Sequence, residues 1–247
     1  MPSTFFGWVA YLWKEYWPLL LKGAWNSIYI SLLGTVIGFC MGLITAILRT
    51  IPDSENRVKN ILLKILRFIC VAYIEVFRGT PLMVQAMVIY YGLIQYAHIQ
   101  LPLLAASMII VGLNTGAYMA EIMRSGITSV NRGQTEAALS VGMTHWQAMR
   151  YIILPQAIRN VMPSIGNEFV VNVKDTSVLN VIAVSELYFV AKSASGTYLR
   201  YFEVYSIVAV MYLVITFILS KLLHMAEKKM DGPENFELEK NEETRHV

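Results

Sequence analysis

Charge is scarce in this 247-residue chain, 15% against 56% hydrophobic residues. The scarcity is concentrated: neither Ala24 to Leu48 nor Gly79 to Ala120 contains an Asp, Glu, Lys or Arg. Ordinary soluble composition is excluded by that balance. At about 1.5 Å per residue, the run 24–48 is long enough to cross a hydrocarbon layer about 30 Å thick, and the mean hydropathy of +0.51 agrees. Cysteine is almost lacking too. Cys40 and Cys70 lie apart in apolar stretches, which excludes a disulfide framework or a paired-thiol metal site. No glycine-rich loop ending in Gly-Lys-Ser/Thr occurs, so no phosphate cradle is available. His-Glu-x-x-His and Gly-x-Ser-x-Gly are missing, which argues against an intramembrane enzyme. A duplicated half is missing as well, and that argues against an ion-coupled secondary carrier, the alternative transport reading. The start, aromatic-rich with Lys14 and Glu15, lacks the basic region and cleavage site of a signal peptide and is expected to be retained.

What is present predicts an all-α polytopic membrane protein with five crossings, at about 24–48, 68–96, 102–123, 163–190 and 203–224. An N-terminal segment, 1–23, precedes them, and a polar, acidic tail, 226–247, is expected to be disordered. The net charge of +3 matters less here than its placement, and no nucleic-acid partner is expected. Arg49, Arg57, Lys59, Lys64 and Arg67 follow span one. Arg124, Arg132, Arg150 and Arg159 follow span three, and Lys221, Lys228 and Lys229 follow span five. The opposite face has only Lys14, Lys22, Lys192 and Arg200. The basic segments are therefore expected inside, with the N-terminus outside and the C-terminus cytoplasmic. Between spans one and two, Arg57, Lys64 and Arg67 alternate with Ile61, Leu62, Ile65 and Leu66 at helical spacing, which describes an amphipathic helix at headgroup level. Gly79-Thr80-Pro81 is expected to break the helix that follows.

The segment between spans three and four is long for a helix connection. It reads as two short helices. Asn131 with Gln134 can form a capping box before Glu136-Ala137-Ala138-Leu139, and Gly142 can end that helix. Thr144 with Gln147 can cap a second one running to Pro155. Glu136-Ala137-Ala138, three residues, Gly142, nine residues, Ile152, one more, then Leu154-Pro155 resembles the EAA motif of permease subunits of ABC importers. Phe77-Arg78-Gly79-Thr80-Pro81-Leu82 with Gln85, Asn114 to Glu121, Gly133-Gln134 and Lys174-Asp175-Thr176-Ser177 are similar to the polar amino acid uptake permeases. The similarity extends over about 20–225, a transmembrane domain of 24–225 with a coupling region at 131–155. Thr115 stands where serine is usual, Ser125 where a second glycine is usual, and Asn131 where proline is frequent.

The resemblance implies a permease homodimer or heterodimer in the cytoplasmic membrane of a prokaryote. It would dock on two ATP-binding subunits and be fed by an extracytoplasmic amino-acid-binding protein. No cofactor is expected on this chain, ATP and Mg being bound by the partners. Glu136, Ala137, Ala138, Gly142, Leu154 and Pro155 would form the coupling element. Intramembrane polar residues are costly and functional by default. Asn114, Thr115 and Tyr118 on span three, with Asn167, Asp175, Thr176 and Ser177 on span four, are the candidate cargo path, although Lys174 and Asp175 can equally be read as neutralising each other. Glu75, Arg78, Gly79 and Pro81 are the candidate gate. Glu121 and Arg124, one turn apart, read first as a structural ion pair. Gly34, Gly38 and Gly42 recur every four residues, a pattern for close helix approach, either within the chain or across a dimer.

Overall fold

The computed structural model describes residues 2–53 and 56–231, and side chains up to residue 229. All described secondary structure is helical. Most of the expected tail, from residue 232 onward, lies outside the described residues.

The first helix, α1 (Phe5–Thr50), is 46 residues long. It absorbs most of the segment expected to precede the first crossing. Thr4 caps it, its hydroxyl accepting from the Gly7 N–H at 3.2 Å. The outer part stays helical because it has its own packing partners. Trp8, Leu12, Leu20 and Ala24 are buried against Leu187, Val190, Ala191 and Ala194 of α8 (Leu187–Tyr198) and Val204, Ile207 and Val208 of α9 (Tyr201–Asp231). Pro18 sits within α1.

Helix α2 (Arg57–Gly79) runs without interruption from the amphipathic segment into the bilayer-length stretch, and α3 (Leu82–Tyr96) follows after the break at Thr80-Pro81. The expected crossing at 68–96 is thus two helices, broken where proline forbids continuation. His98, at φ +55°, and Pro102 turn the chain into α4 (Leu103–Ser129).

Helix α4 lies along α1. A Cβ added at Gly34 would stand 2.5 Å from Val111 Cγ1, one at Gly38 2.8 Å from Thr115 Cβ, and one at Gly42 2.4 Å from Met119 Cβ. Gly112 answers from the other side, 2.6 Å from Ile37 Cγ2. The glycine stripe therefore serves a contact within the chain, because only absent side chains let the two backbones approach this closely.

Two short helices follow, α5 (Arg132–Ser140) and α6 (His145–Ala148), and a π turn at Met149–Ile153 leads into α7 (Leu154–Asp175). The sequence reading ended the second short helix at Pro155. In the structure Pro155 opens α7, a first-turn position where its missing N–H is harmless. The crossing expected at 163–190 is also subdivided. α7 gives way to a 3-10 turn at Thr176–Ile182, Ala183 adopts φ +63°, and α8 departs at 54° to the preceding helical segment. Among the described residues three helices, α1, α4 and α9, are long and apolar enough to cross a membrane, and the bent pair around Ala183 makes up to four.

Candidate functional site

At the α5–α6 corner each end is chemically closed. Asn131 Oδ1 accepts from the Gly133 N–H at 2.8 Å, while Gln134 contributes its backbone N–H to the Asn131 carbonyl at 3.0 Å. Asn131 thus caps α5 through the Gly133 N–H, and neither reciprocal bond of the expected capping box with Gln134 is formed. The one at Thr144 is complete: Gln147 N–H donates to Thr144 Oγ1 at 3.3 Å and Thr144 N–H to Gln147 Oε1 at 2.8 Å. Between them α5 ends on Gly142 at φ +86°, where the Met143 N–H reaches back to the Ala138 carbonyl at 3.1 Å and the Gly142 N–H to Leu139 at 3.0 Å. That left-handed turn is what glycine supplies at a helix end.

Ala138 and Ala148 are buried beneath the corner, whereas Glu136 and Ala137 face outward. Leu139, Val141 (76% exposed), Trp146 and Tyr151 (64%), all within the same stretch of chain, are exposed apolar side chains. Helices this short do not stand alone. The caps and the two buried alanines fix the corner, and its outer face is left without a partner among the described residues. Leu154, half-buried, and Pro155, exposed, continue from it into α7.

The second constellation lies at the α2–α3 break, where helix termination frees backbone carbonyls. Gln85 takes them: its Nε2 donates to the Phe77 carbonyl at 2.8 Å, the Thr80 carbonyl at 2.9 Å and Thr80 Oγ1 at 2.9 Å. Its Oε1 accepts from Asn114 Nδ2 of α4 at 2.9 Å. Tyr73 reinforces the seam by donating to the Leu113 carbonyl at 2.6 Å. Arg78 makes no ion pair with Glu75 among the described residues and lies over the Tyr118 ring at 5.4 Å. The structure thus brings Arg78, Gly79 and Pro81 together with Asn114 and Tyr118. Gln85 holds them together, although the reading of the motif assigned it no role.

The remaining candidates are distributed differently. Thr115 is fully buried and its hydroxyl donates to Asn172 Oδ1 at 3.1 Å, while Asn172 Nδ2 donates to Thr35 Oγ1 at 2.8 Å. This is a polar pin through α4, α7 and α1. Thr176 is equally buried, with its hydroxyl on the Val173 carbonyl at 2.9 Å. Asn167, Lys174 and Asp175 are exposed on α7, Ser177 is half-buried, and Lys174 and Asp175 form no ion pair among the described residues. Glu121 accepts from Arg124 Nε at 2.9 Å and also from Arg49 of α1, so the expected pair is a triad joining two helices.

Glu186, not singled out from sequence, is fully buried. Its carboxylate accepts from the N–H groups of Tyr188 (2.8 Å) and Phe189 (2.6 Å) and from Tyr212 Oη (3.1 Å), capping α8 and tying it to α9.

Gln85→Leu keeps the volume but leaves the Phe77 and Thr80 carbonyls and the Asn114 amide without their partner. The expected cost is about 1–3 kcal/mol, read as a lower thermal midpoint of the solubilised protein. An unchanged midpoint would show that the break is held by something else.

Residues 58–232 match the family described as binding-protein-dependent transport system inner membrane component. The chain is similar to the glutamine transport system permease protein GlnP of Escherichia coli (strain K12), 36% identical over 222 residues, 88% of this chain and 97% of that protein. It is also similar to the L-cystine transport system permease protein TcyB of Bacillus subtilis (strain 168), 35% identical over 219 residues, 88% of this chain and 89% of that protein. A crystal structure of an amino acid ABC transporter with histidines superposes with a TM-score of 0.78 at 39% identity, covering 93% of this chain and all of that one. The alternative of an ion-coupled carrier is thereby set aside, and the chain belongs to the inner membrane components of binding-protein-dependent transport systems, the permease subunits of ABC importers, in which a separate subunit hydrolyses ATP.

Proposed function

We propose that this permease carries polar amino acids inward, and that the α5–α6 corner is where the ATP-hydrolysing partner grips it. The observation that carries the second half is the exposure of the apolar Leu139, Val141, Trp146 and Tyr151 along a corner whose own bonds are closed. An apolar surface bounded by the polar Glu136 and Thr144 suits burial by a protein cleft. Glu136 sets the orientation, Ala137 allows close approach, and Gly142 makes the turn. Leu154 and Pro155 pass the displacement into α7. The assembly is a permease homodimer or heterodimer on two such partners, served by an extracytoplasmic binding protein.

The path for cargo follows Asn114 and Tyr118 at the α2–α3 break and Asn167, Asp175 and Ser177 on α7. Thr115 and Thr176, both buried in internal hydrogen bonds, shape that path from behind. An α-amino, α-carboxylate cargo needs an anionic partner and a donor-rich one, for which Asp175 and the Ser177 hydroxyl serve, with Asn114, held by Gln85, and Thr176 beside them. Glu75, Arg78, Gly79 and Pro81 form the gate. Five crossings, counting α2 with α3 as one, put the N-terminus outside and the corner in the cytoplasm, as the distribution of Lys and Arg requires.

The test is ATP hydrolysis by the assembled importer against a panel of amino acids, sugars and peptides. Stimulation by one or a few polar amino acids is expected, and stimulation by sugars or peptides alone would overturn the cargo. A thiol introduced at Val141 should react with an impermeant reagent only from the cytoplasmic side. Labelling from outside would invert the topology.

A further inference from the structure

We propose that the crevice between the α1–α2 connection and the first turns of α2 binds an anionic phospholipid, with Lys59 on the headgroup phosphate and an acyl chain laid along Leu62, Leu63 and Leu66. The inference rests on the membrane placement proposed above, which puts this end of α2 at the inner leaflet.

The crevice has a volume of about 510 Å³, with residues 51–53 on one wall and the Lys59 face of α2 on the other. Lys59, Leu62, Leu63 and Leu66 follow at i, i+3, i+4 and i+7, so they share one face of the helix. Their order matters. The cation comes first, nearest the aqueous connection, and the leucines continue for two turns, about 10 Å, in the direction in which α2 enters the bilayer.

Lys59 has no ion-pair partner among the described residues, whereas Asp53, the acid in the opposite wall, is engaged by Arg67 at 2.8 Å. Arg67 also donates to the Ile51 carbonyl, which pins that wall to α2. Among the described residues the result is a fixed apolar track, a cation at its mouth that makes no ion pair, and an acid in the facing wall that is already neutralised. A soluble anion would leave the leucines unused, and a neutral chain would leave the lysine unused. An amphiphile with a negative head uses both. Occupancy would act on transport through α2, whose far end is the break that Gln85 and Asn114 hold.

The experiment titrates the assembled, detergent-solubilised importer with dioctanoyl phosphatidylglycerol, dioctanoyl phosphatidylcholine or inorganic phosphate and reads the thermal midpoint. Phosphatidylglycerol is expected to raise the midpoint saturably and the other two to leave it in place. Lys59→Gln should weaken that response about fivefold, the share of one basic residue near an anionic surface. Leu62→Gln should weaken it as well, Lys59→Arg should restore it, and Lys64→Gln, on another face of α2, should not change it. Three outcomes would overturn the site: phosphatidylcholine acting equally, phosphate alone acting equally, or Lys59→Gln behaving like Lys64→Gln. If Lys59→Gln does not assemble, Leu62→Gln against Lys64→Gln decides the matter. Because the readout is binding and not transport, a negative result leaves the cargo assignment standing, and a failed cargo panel leaves this result standing.

Discussion

Gly142→Asp is expected to reach the membrane in normal amount and to lose at least nine-tenths of cargo-stimulated ATP hydrolysis. The two halves of that expectation have different causes. Among the described residues nothing lies within 4 Å of a Cβ built at Gly142, so the substitution meets no obstacle from them. Its internal cost is the left-handed backbone at φ +86°, about 1–3 kcal/mol for a residue with a side chain, spread over a corner that four caps and turns already hold. A loss of coupling much larger than the loss of stability would mean that the empty space beside Gly142 is filled by the partner's surface. Gly142→Ala, with the same backbone demand and a smaller, neutral side chain, should retain more stimulation. Normal stimulation in Gly142→Asp would remove this corner from the energy pathway.

The largest structural effect is expected from Gly42→Leu. Even the first carbon of the new side chain would lie 2.4 Å from Met119 Cβ and 2.7 Å from the Ala120 N–H nitrogen. Neither a flexible tip nor a cavity is there to yield, since Met119 and Ala120 are fully buried. Overpacking typically costs about 1–3 kcal/mol, and here backbone must move, which also disturbs the Arg49–Glu121 contact one to two turns further on. The expected result is a sharp fall in folded, monodisperse protein after solubilisation, with Gly92→Leu as the control because a Cβ there meets nothing within 4 Å. Equal yields for the two variants would contradict the packing of α1 on α4.

These two positions also indicate what a sequence can disclose. Gly142 was legible because capping chemistry is local: a polar cap, a short helix and a glycine at its end declare themselves within a dozen residues. The break at Gly79-Thr80-Pro81 was legible for the same reason. The glycine stripe on α1 announced a close contact, but its partner lies about seventy residues away, and spacing along one helix holds no information about the other. Thr115 is a related case. A polar residue in an apolar run advertises function, yet here Asn172 and Thr35 satisfy it and it pins three helices. Glu186 lay hidden because an isolated acid among apolar residues gives no pattern, and its donors come from α8 and α9. The length of α1 was missed because Lys14, Glu15 and Pro18 argue locally for an end, while burial of Trp8, Leu12 and Leu20 against distant helices overrides them.

Helix α1 contributes to all three apolar clusters of the fold: Trp8 to Ala24 in the one with α8 and α9, Ile30 in the one with α3 and α4, Ala46 in the one with α4 and α7. A single rod threaded through every cluster leaves no line along which this subunit can be parted into two jaws. In the dimer proposed above, the large movement around cargo would then be a swing of whole subunits about their spines, with the gate and the α5–α6 corner as local parts of it.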